Sequence, residues 1–157
     1  MFAKKLIDFF KGGKHRRISK WLHYFPVYET YLRPYRKTPI KMLEYGIGHG
    51  GSLQMWKWYF HKGSQIVGVD IKERCKALEE DRIEIRIGDQ GLTETHDKIH
   101  EEFGEFDIIL DDGGHHMHEQ IVTFECMFPR LKEGGLYIIE DLHTSYSEKH
   151  GGGLEKD

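Results

Sequence analysis

Cysteine is scarce in this sequence. Of 157 residues only Cys75 and Cys126 are cysteines. They lie far apart and form no metal-ligand spacing, which excludes a disulfide framework and reads as two reduced thiols in a cytoplasmic protein. A surplus of positive charge is missing as well. The formal net charge is −3, which argues against a dedicated nucleic-acid binder with its basic stripe. No apolar run approaches the roughly 18 residues of a membrane span. The basic N-terminus also lacks the apolar stretch and small-residue cleavage site of a secretory signal. Internal repeats and low-complexity segments are absent too, and the length suits one domain with a real core rather than two.

What is present in quantity is glycine, eighteen residues, and aromatic side chains, at 13%. Residues 1–39 read as a helical segment. Phe2, Leu6, Phe9 and Phe10 fall at helical spacing. Lys11 to Arg17 reads as a basic connector. The two together form a peripheral helix with a solvated tail or, as the alternative, a membrane-surface anchor. Trp21, Tyr24, Phe25 and Tyr28 share a second helical face. Pro26 interrupts that helix or opens a new one at its first turn. This aromatic face reads as core packing, with a lid or acceptor pocket as the alternative.

From residue 40 to 146 the pattern changes to short apolar runs alternating with helical stretches. Strands are expected at 41–45, 65–70, 83–87, 106–111 and 135–140, and helices at 52–61, 73–80, 93–103 and 119–131. Regular β–α alternation implies parallel strands and right-handed crossovers. The expected fold class is therefore α/β, a Rossmann-like doubly wound parallel sheet with helices on both faces. Residues 147–157 read as a glycine-rich tail.

Each expected strand ends in or near a carboxylate: Glu44, Asp70, Asp89, the pair Asp111-Asp112 and the pair Glu140-Asp141. In an open parallel sheet these ends line one edge, where ligands bind at the switch in strand order. So many acids in one crevice would repel one another and raise each other's pKa values. A cationic ligand, a metal ion or both would relieve this. Capping of the following turns is the plainer alternative for any single acid.

After the first strand the loop Tyr45-Gly-Ile-Gly-His-Gly-Gly51 places Gly46, Gly48 and Gly51 in the literal G-x-G-x-x-G pattern, with Asp70 about 20 residues on. The pattern suits any nucleoside ligand whose ribose an acid can grip. Glu44 beside it disfavours a pyrophosphate and favours a sulfonium. An NAD(P)-dependent oxidoreductase remains the alternative enzyme.

Leu43-Glu-Tyr-Gly-Ile-Gly-His-Gly-Gly-Ser52, Val69-Asp70, Leu110-Asp-Asp-Gly-Gly-His115 and Ile139-Glu-Asp141 together resemble class I S-adenosylmethionine-dependent methyltransferases. More narrowly they are similar to the metal-dependent sugar O-methyltransferases of macrolide pathways and the related cephalosporin hydroxylase-like proteins. The resemblance covers roughly residues 40 to 146. It implies S-adenosyl-L-methionine as methyl donor, held by Glu44, Gly46, Gly48, Asp70, Asp89, Gln90 and Asp111. It implies Mg²⁺, or Mn²⁺, on Asp112, Glu140 and Asp141, and His115 as general base, with His116 and His143 as alternatives. The carboxylates suit a hard ion on chemical grounds too, whereas a histidine-ligated metal drawing on His115, His116, His118 and His143 is the competing view. The implied acceptor is a hydroxyl of a sugar or glycosylated small molecule.

The resemblance also implies two further strands, which this sequence lacks. The sheet edge beyond the fifth strand would then need covering by a second copy or another chain. An inactive, truncated cofactor-binding module is the non-enzymatic alternative.

Overall fold

The computed structural model describes residues 5–153. Phe2, at the start of the expected first helix, and the last four residues of the expected tail lie outside the described residues. Five strands, β1 (Lys41–Tyr45), β2 (Gln65–Asp70), β3 (Ile83–Ile87), β4 (Phe106–Asp111) and β5 (Leu131–Ile139), form one parallel sheet in the order β3-β2-β1-β4-β5. The helices are α1 (Leu6–Gly12), α2 (Tyr24–Leu32), α3 (Gly51–Tyr59), α4 (Thr93–Phe103) and α5 (Met117–Met127).

Strands buried on both faces need apolar side chains on both, and successive residues divide between two cores. Met42, Ile66, Ile85, Ile108 and Leu110 pack under α1, α2 and α3. Leu43, Tyr45, Val67, Val69 and Ile109 pack under α4 and α5, against Ile99, Phe103 and Met127. The expected doubly wound sheet is thus what the chain builds. Leu6, Phe25, Tyr28 and Leu32 belong to the first core together with Met42 and Ile66, so the boundary at residue 40 marks a change of pattern and not a separate core.

Three expectations along the chain differ from the structure. Helix α5 stops at Met127, ahead of the expected Leu131, because Pro129 lies in the 3-10 turn that follows it and offers no amide to continue the ladder. Strand β5 begins already at Leu131, through an irregular register in which Phe106 pairs with Leu131 and Ile108 with Leu136. The expected helix after β2 is a 3-10 turn over Glu73–Leu78.

The basic connector is a larger correction. Its end, Arg16-Arg17, is not a solvated tether but begins a strap, running on to Lys20, across the start of α3. The Arg16 amide donates to Gln54 Oε1 at 2.9 Å and its guanidinium to the Leu78 carbonyl at 2.8 Å. Strand order reverses between β1 and β4, which places the mouth of the sheet at their carboxyl ends, and the strap brings Lys20 to that mouth.

Candidate active site at the carboxyl ends of the strands

The glycine loop leaves β1 at Tyr45 and enters α3. Gly46 has φ +85° and donates its amide to the Val69 carbonyl at 2.8 Å. A Cβ there would overlap the Asp112 carbonyl oxygen. Only glycine combines that dihedral with so close an approach of the loops after β1 and β4. Gly51 is required for a different reason, since a Cβ there would overlap the carbonyl oxygens of Arg16 and Arg17 in the strap.

Asp70, at the end of β2, organises the loop. Its Oδ2 accepts the amides of Ile47 at 2.9 Å and Gly48 at 3.1 Å, and its Oδ1 accepts the amide of Lys72 at 2.9 Å. Burial opposes its ionisation, but the three amides outweigh this and hold the carboxyl below its ordinary pKa. The loop amides that could meet a pyrophosphate are therefore occupied by the chain's own anion.

Two adjoining cavities flank this loop and share Gly46, Asp70, Lys72 and Gly113. The first, of about 150 Å³, runs along Tyr45, Asp89 and Gln90. The second, of about 270 Å³, runs along Gly48, Lys20, Asp112, His115 and Asp141. Gln90 is fixed from below. Its amide nitrogen donates to Asp111 Oδ1 at 3.1 Å, and its Oε1 accepts the Gly114 amide at 3.0 Å. Asp89 closes its own turn by accepting the Gly91 amide at 2.8 Å.

Behind the second cavity three carboxylates converge on one ammonium. Lys20 Nζ lies 2.6 Å from Asp112 Oδ2, 2.7 Å from Glu140 Oε1 and 3.2 Å from Glu44 Oε1, with its side chain 1% exposed. Glu44, which lies on the α3 face of β1, also accepts from Ser52 Oγ and Trp56 Nε1, both at 3.0 Å. Glu140 accepts a short hydrogen bond from the Tyr28 hydroxyl. Burial opposes the charge on Lys20, but Glu44, Asp112 and Glu140 outweigh it and raise its pKa well above the usual value. Burial pushes Glu44 and Glu140 upward, against the pull of Lys20. Asp112 is pushed up to about 6, by burial first and by neighbouring Glu44 and Asp141 in addition.

On the cavity side, Asp112, His115 and Asp141 each offer one ligand atom within 4.8 Å of the others. His115 Nε2 faces Asp112 Oδ1 at 3.8 Å and Asp141 Oδ2 at 3.6 Å, and its buried Nδ1 has no hydrogen-bond partner among the described residues. Two carboxylate oxygens and an imidazole form a donor set that accepts Mg²⁺ or Mn²⁺. Asp141 receives a hydrogen bond from Tyr24 Oη at 2.7 Å, which fixes its other oxygen. His115 (φ +60°) and Asp141 (φ +55°) both adopt the left-handed region, which non-glycine residues enter at a cost. The strain falls on two of the three residues of this cluster.

Measured against the expected site, the structure gathers Gly46, Gly48, Asp70, Asp89, Gln90, Asp112, His115 and Asp141 along the two cavities. It does not bring Glu44, Asp111 or Glu140 to their walls. Glu44 and Glu140 are turned inward by Lys20, and Asp111 lies beneath Gln90 with its Oδ2 unpartnered among the described residues. Glu140 is accordingly absent from the Asp112–His115–Asp141 cluster. Of the alternative histidines, the His116 amide bonds Glu119 at the start of α5 while its ring lies near His150, and the His143 side chain is 69% exposed.

Lys20, Tyr24 and Tyr28 are the residues that sequence reasoning missed. The tyrosines pass for core packing. Lys20 had one available signal, since acids that demand a counter-ion can be met by the chain's own cation.

The sheet order, the glycine loop and the strand-end acids together make the class I S-adenosylmethionine-dependent methyltransferase fold. No family model matches the chain, but its homologues are sugar O-methyltransferases. It is 42% identical over 143 residues to demethylmacrocin O-methyltransferase of Streptomyces fradiae, covering 85% of this chain and 36% of that protein. It is 41% identical over 140 residues to mycinamicin VI 2''-O-methyltransferase of Micromonospora griseorubida, covering 84% and 35%. MycE methyltransferase from the mycinamycin biosynthetic pathway, solved in complex with Mg, SAH and mycinamycin VI, superposes with a TM-score of 0.88 at 34% identity, covering 96% of this chain and 40% of that one. The chain thus spans little more than a third of the length of these curated relatives.

Proposed function

We propose that this chain supplies the methyl-donor and metal sites of an S-adenosylmethionine-dependent O-methyltransferase acting on a hydroxyl of a sugar or glycosylated small molecule. The observation that carries this reading is that the two cavities adjoin and share Gly46 and Asp70, which sets the glycine loop beside Asp112, His115 and Asp141. Residues 40–146 are assigned as the donor-binding unit, the described part of the N-terminal segment, 5–39, covers its rim, and 147–153 follow as the described part of the tail. In this assignment Asp89 and Gln90 face the adenine, Asp70 faces the ribose, and Gly46 and Gly48 admit the donor's backbone side. Glu44, Asp111 and Glu140 act from behind, through Lys20 and Gln90.

Asp112 and Asp141 would hold Mg²⁺ or Mn²⁺, which when bound lowers the pKa of an acceptor hydroxyl and fixes its direction. In this assignment His115 stays outside the ion's coordination and would take the hydroxyl proton as the oxygen bonds to the donor methyl and the methyl–sulfur bond breaks, leaving S-adenosylhomocysteine. Among the described residues β5 pairs only with β4, and a second copy of the chain or another chain is the proposed cover for that edge.

A structure soaked with S-adenosylhomocysteine and Mn²⁺ tests the reading. The expected result is anomalous density among Asp112, His115 and Asp141 with nucleoside density along Asp89 and Gln90. An ion bound elsewhere, or a nucleoside outside these cavities, would overturn it. By calorimetry, Asp112→Ala should lose Mn²⁺ binding and keep S-adenosylhomocysteine binding within a few fold. Equal Mn²⁺ affinity in that variant would remove Asp112 from the metal site.

A further inference from the structure

The Lys20 ammonium and the proposed ion share one carboxylate, Asp112. Asp112 gives one oxygen to Lys20 Nζ at 2.6 Å and turns the other towards His115 at 3.8 Å. Glu140, adjacent in sequence to Asp141, is held by Lys20 at 2.7 Å and by the Tyr28 hydroxyl. Lys20 reaches this position because the strap from Arg16 is pinned to α3 and the β2–β3 connection through Gln54, Leu78 and Glu80. A buried acid cluster with a single tethered cation remains strongly negative, and removing that cation would leave uncompensated charges in a medium where each counts for far more than in water.

We propose that Lys20 is a built-in counter-ion that competes with the divalent metal for Asp112 and Glu140, and so sets how tightly this site binds Mg²⁺ or Mn²⁺. This rests on the methyltransferase reading above and concerns how strongly the chain holds the ion, not which reaction it performs. With Lys20 in place, one oxygen of Asp112 and one of Glu140 are already engaged by its ammonium before a metal arrives. The same contact restricts the ion to the cavity-side oxygens. Loss of Lys20 frees Glu140 and the second oxygen of Asp112 for coordination.

The test measures Mn²⁺ binding to the 157-residue chain by calorimetry and by the paramagnetic resonance signal of free Mn²⁺, alongside thermal melting with and without the ion. Lys20→Met should melt lower than the unsubstituted chain in chelator, regain more of its melting temperature on adding Mn²⁺, and bind Mn²⁺ about tenfold tighter or more. Lys72→Met removes a positive charge from the same cavity at a residue with no ion pair among the described residues, and should change the affinity much less.

Glu44→Gln gives an independent arm should Lys20→Met fail to fold. It leaves Lys20 shared between Asp112 and Glu140 alone and should weaken Mn²⁺ binding several fold, although Glu44 is outside the metal cluster. Damage to the fold lowers metal affinity, so a gain in Lys20→Met cannot come from disruption. Affinity in a folded Lys20→Met chain that is equal to or weaker than the unsubstituted chain overturns the proposal, as does unchanged affinity in Glu44→Gln. If S-adenosylhomocysteine binds while these affinities fail to move, only the role of Lys20 falls. If the unsubstituted chain binds neither S-adenosylhomocysteine nor Mn²⁺, the functional reading falls with it.

Discussion

Asp70 shows how one side chain can serve both the fold and a ligand. Its two oxygens already accept three loop amides, so replacing it with asparagine leaves one acceptor oxygen and turns an N–H pair towards those donors. Hydrogen bonds to a charged acceptor contribute more than neutral ones, so Asp70→Asn should cost about 1–3 kcal/mol of stability at neutral pH. The sign of the pH dependence follows from the lowered pKa of the folded state. The carboxylate's advantage is present above the ordinary value of 3.8 and is lost as pH falls through the lower folded value. Urea unfolding of the two proteins at pH 7 and near pH 3 checks this. The gap should narrow at the acid end, and a gap that widens there would contradict it. At the same scale, the glycines and strand-end acids were readable from the chain, because turn geometry and strand polarity fix their places locally. Lys20 was not, since its partners lie 24, 92 and 120 residues away in sequence. Contacts of that separation follow from how elements pack and leave no local periodicity.

At the level of elements, β1 to β4 and α4 fall where apolar runs and helical spacing put them. Burial on one or both faces writes a period into the sequence that survives folding. The strap from Arg16 to Lys20 carries no such period. Its polar and basic residues look solvated, and only the pinned backbone reveals that it is part of the site wall. Gly51 makes that docking testable. A methyl group there would meet the carbonyl oxygens of Arg16 and Arg17, both of them backbone atoms that cannot rotate aside. Gly51→Ala should therefore lift the strap while leaving the sheet intact, since alanine is otherwise favoured within a helix. Trypsin should cut at Arg16, Arg17 or Lys20 at least severalfold faster in the variant, with little change in the far-ultraviolet circular dichroism spectrum. Equal cleavage rates would mean that the strap is held by other contacts.

For the whole molecule, cofactor choice becomes a matter of stability. A ligand that binds only the folded chain stabilises it by an amount fixed by its concentration relative to Kd, about 2.7 kcal/mol at a hundredfold excess. The cavities lie between the loops of β1, β2, β3 and β4, and unfolding would scatter these loops. Linkage should therefore appear in the global transition and not as local tightening. S-adenosylhomocysteine carries an ammonium and has no phosphate to present to the loop. NAD brings a pyrophosphate to amides that Asp70 already occupies, next to further acids. The chain should accordingly melt at a temperature that rises steadily with S-adenosylhomocysteine and stays level with the same concentrations of NAD. Equal or larger stabilisation by NAD would mean that Asp70 yields the loop amides to phosphate, and the electrostatic basis for preferring a sulfonium donor would be lost.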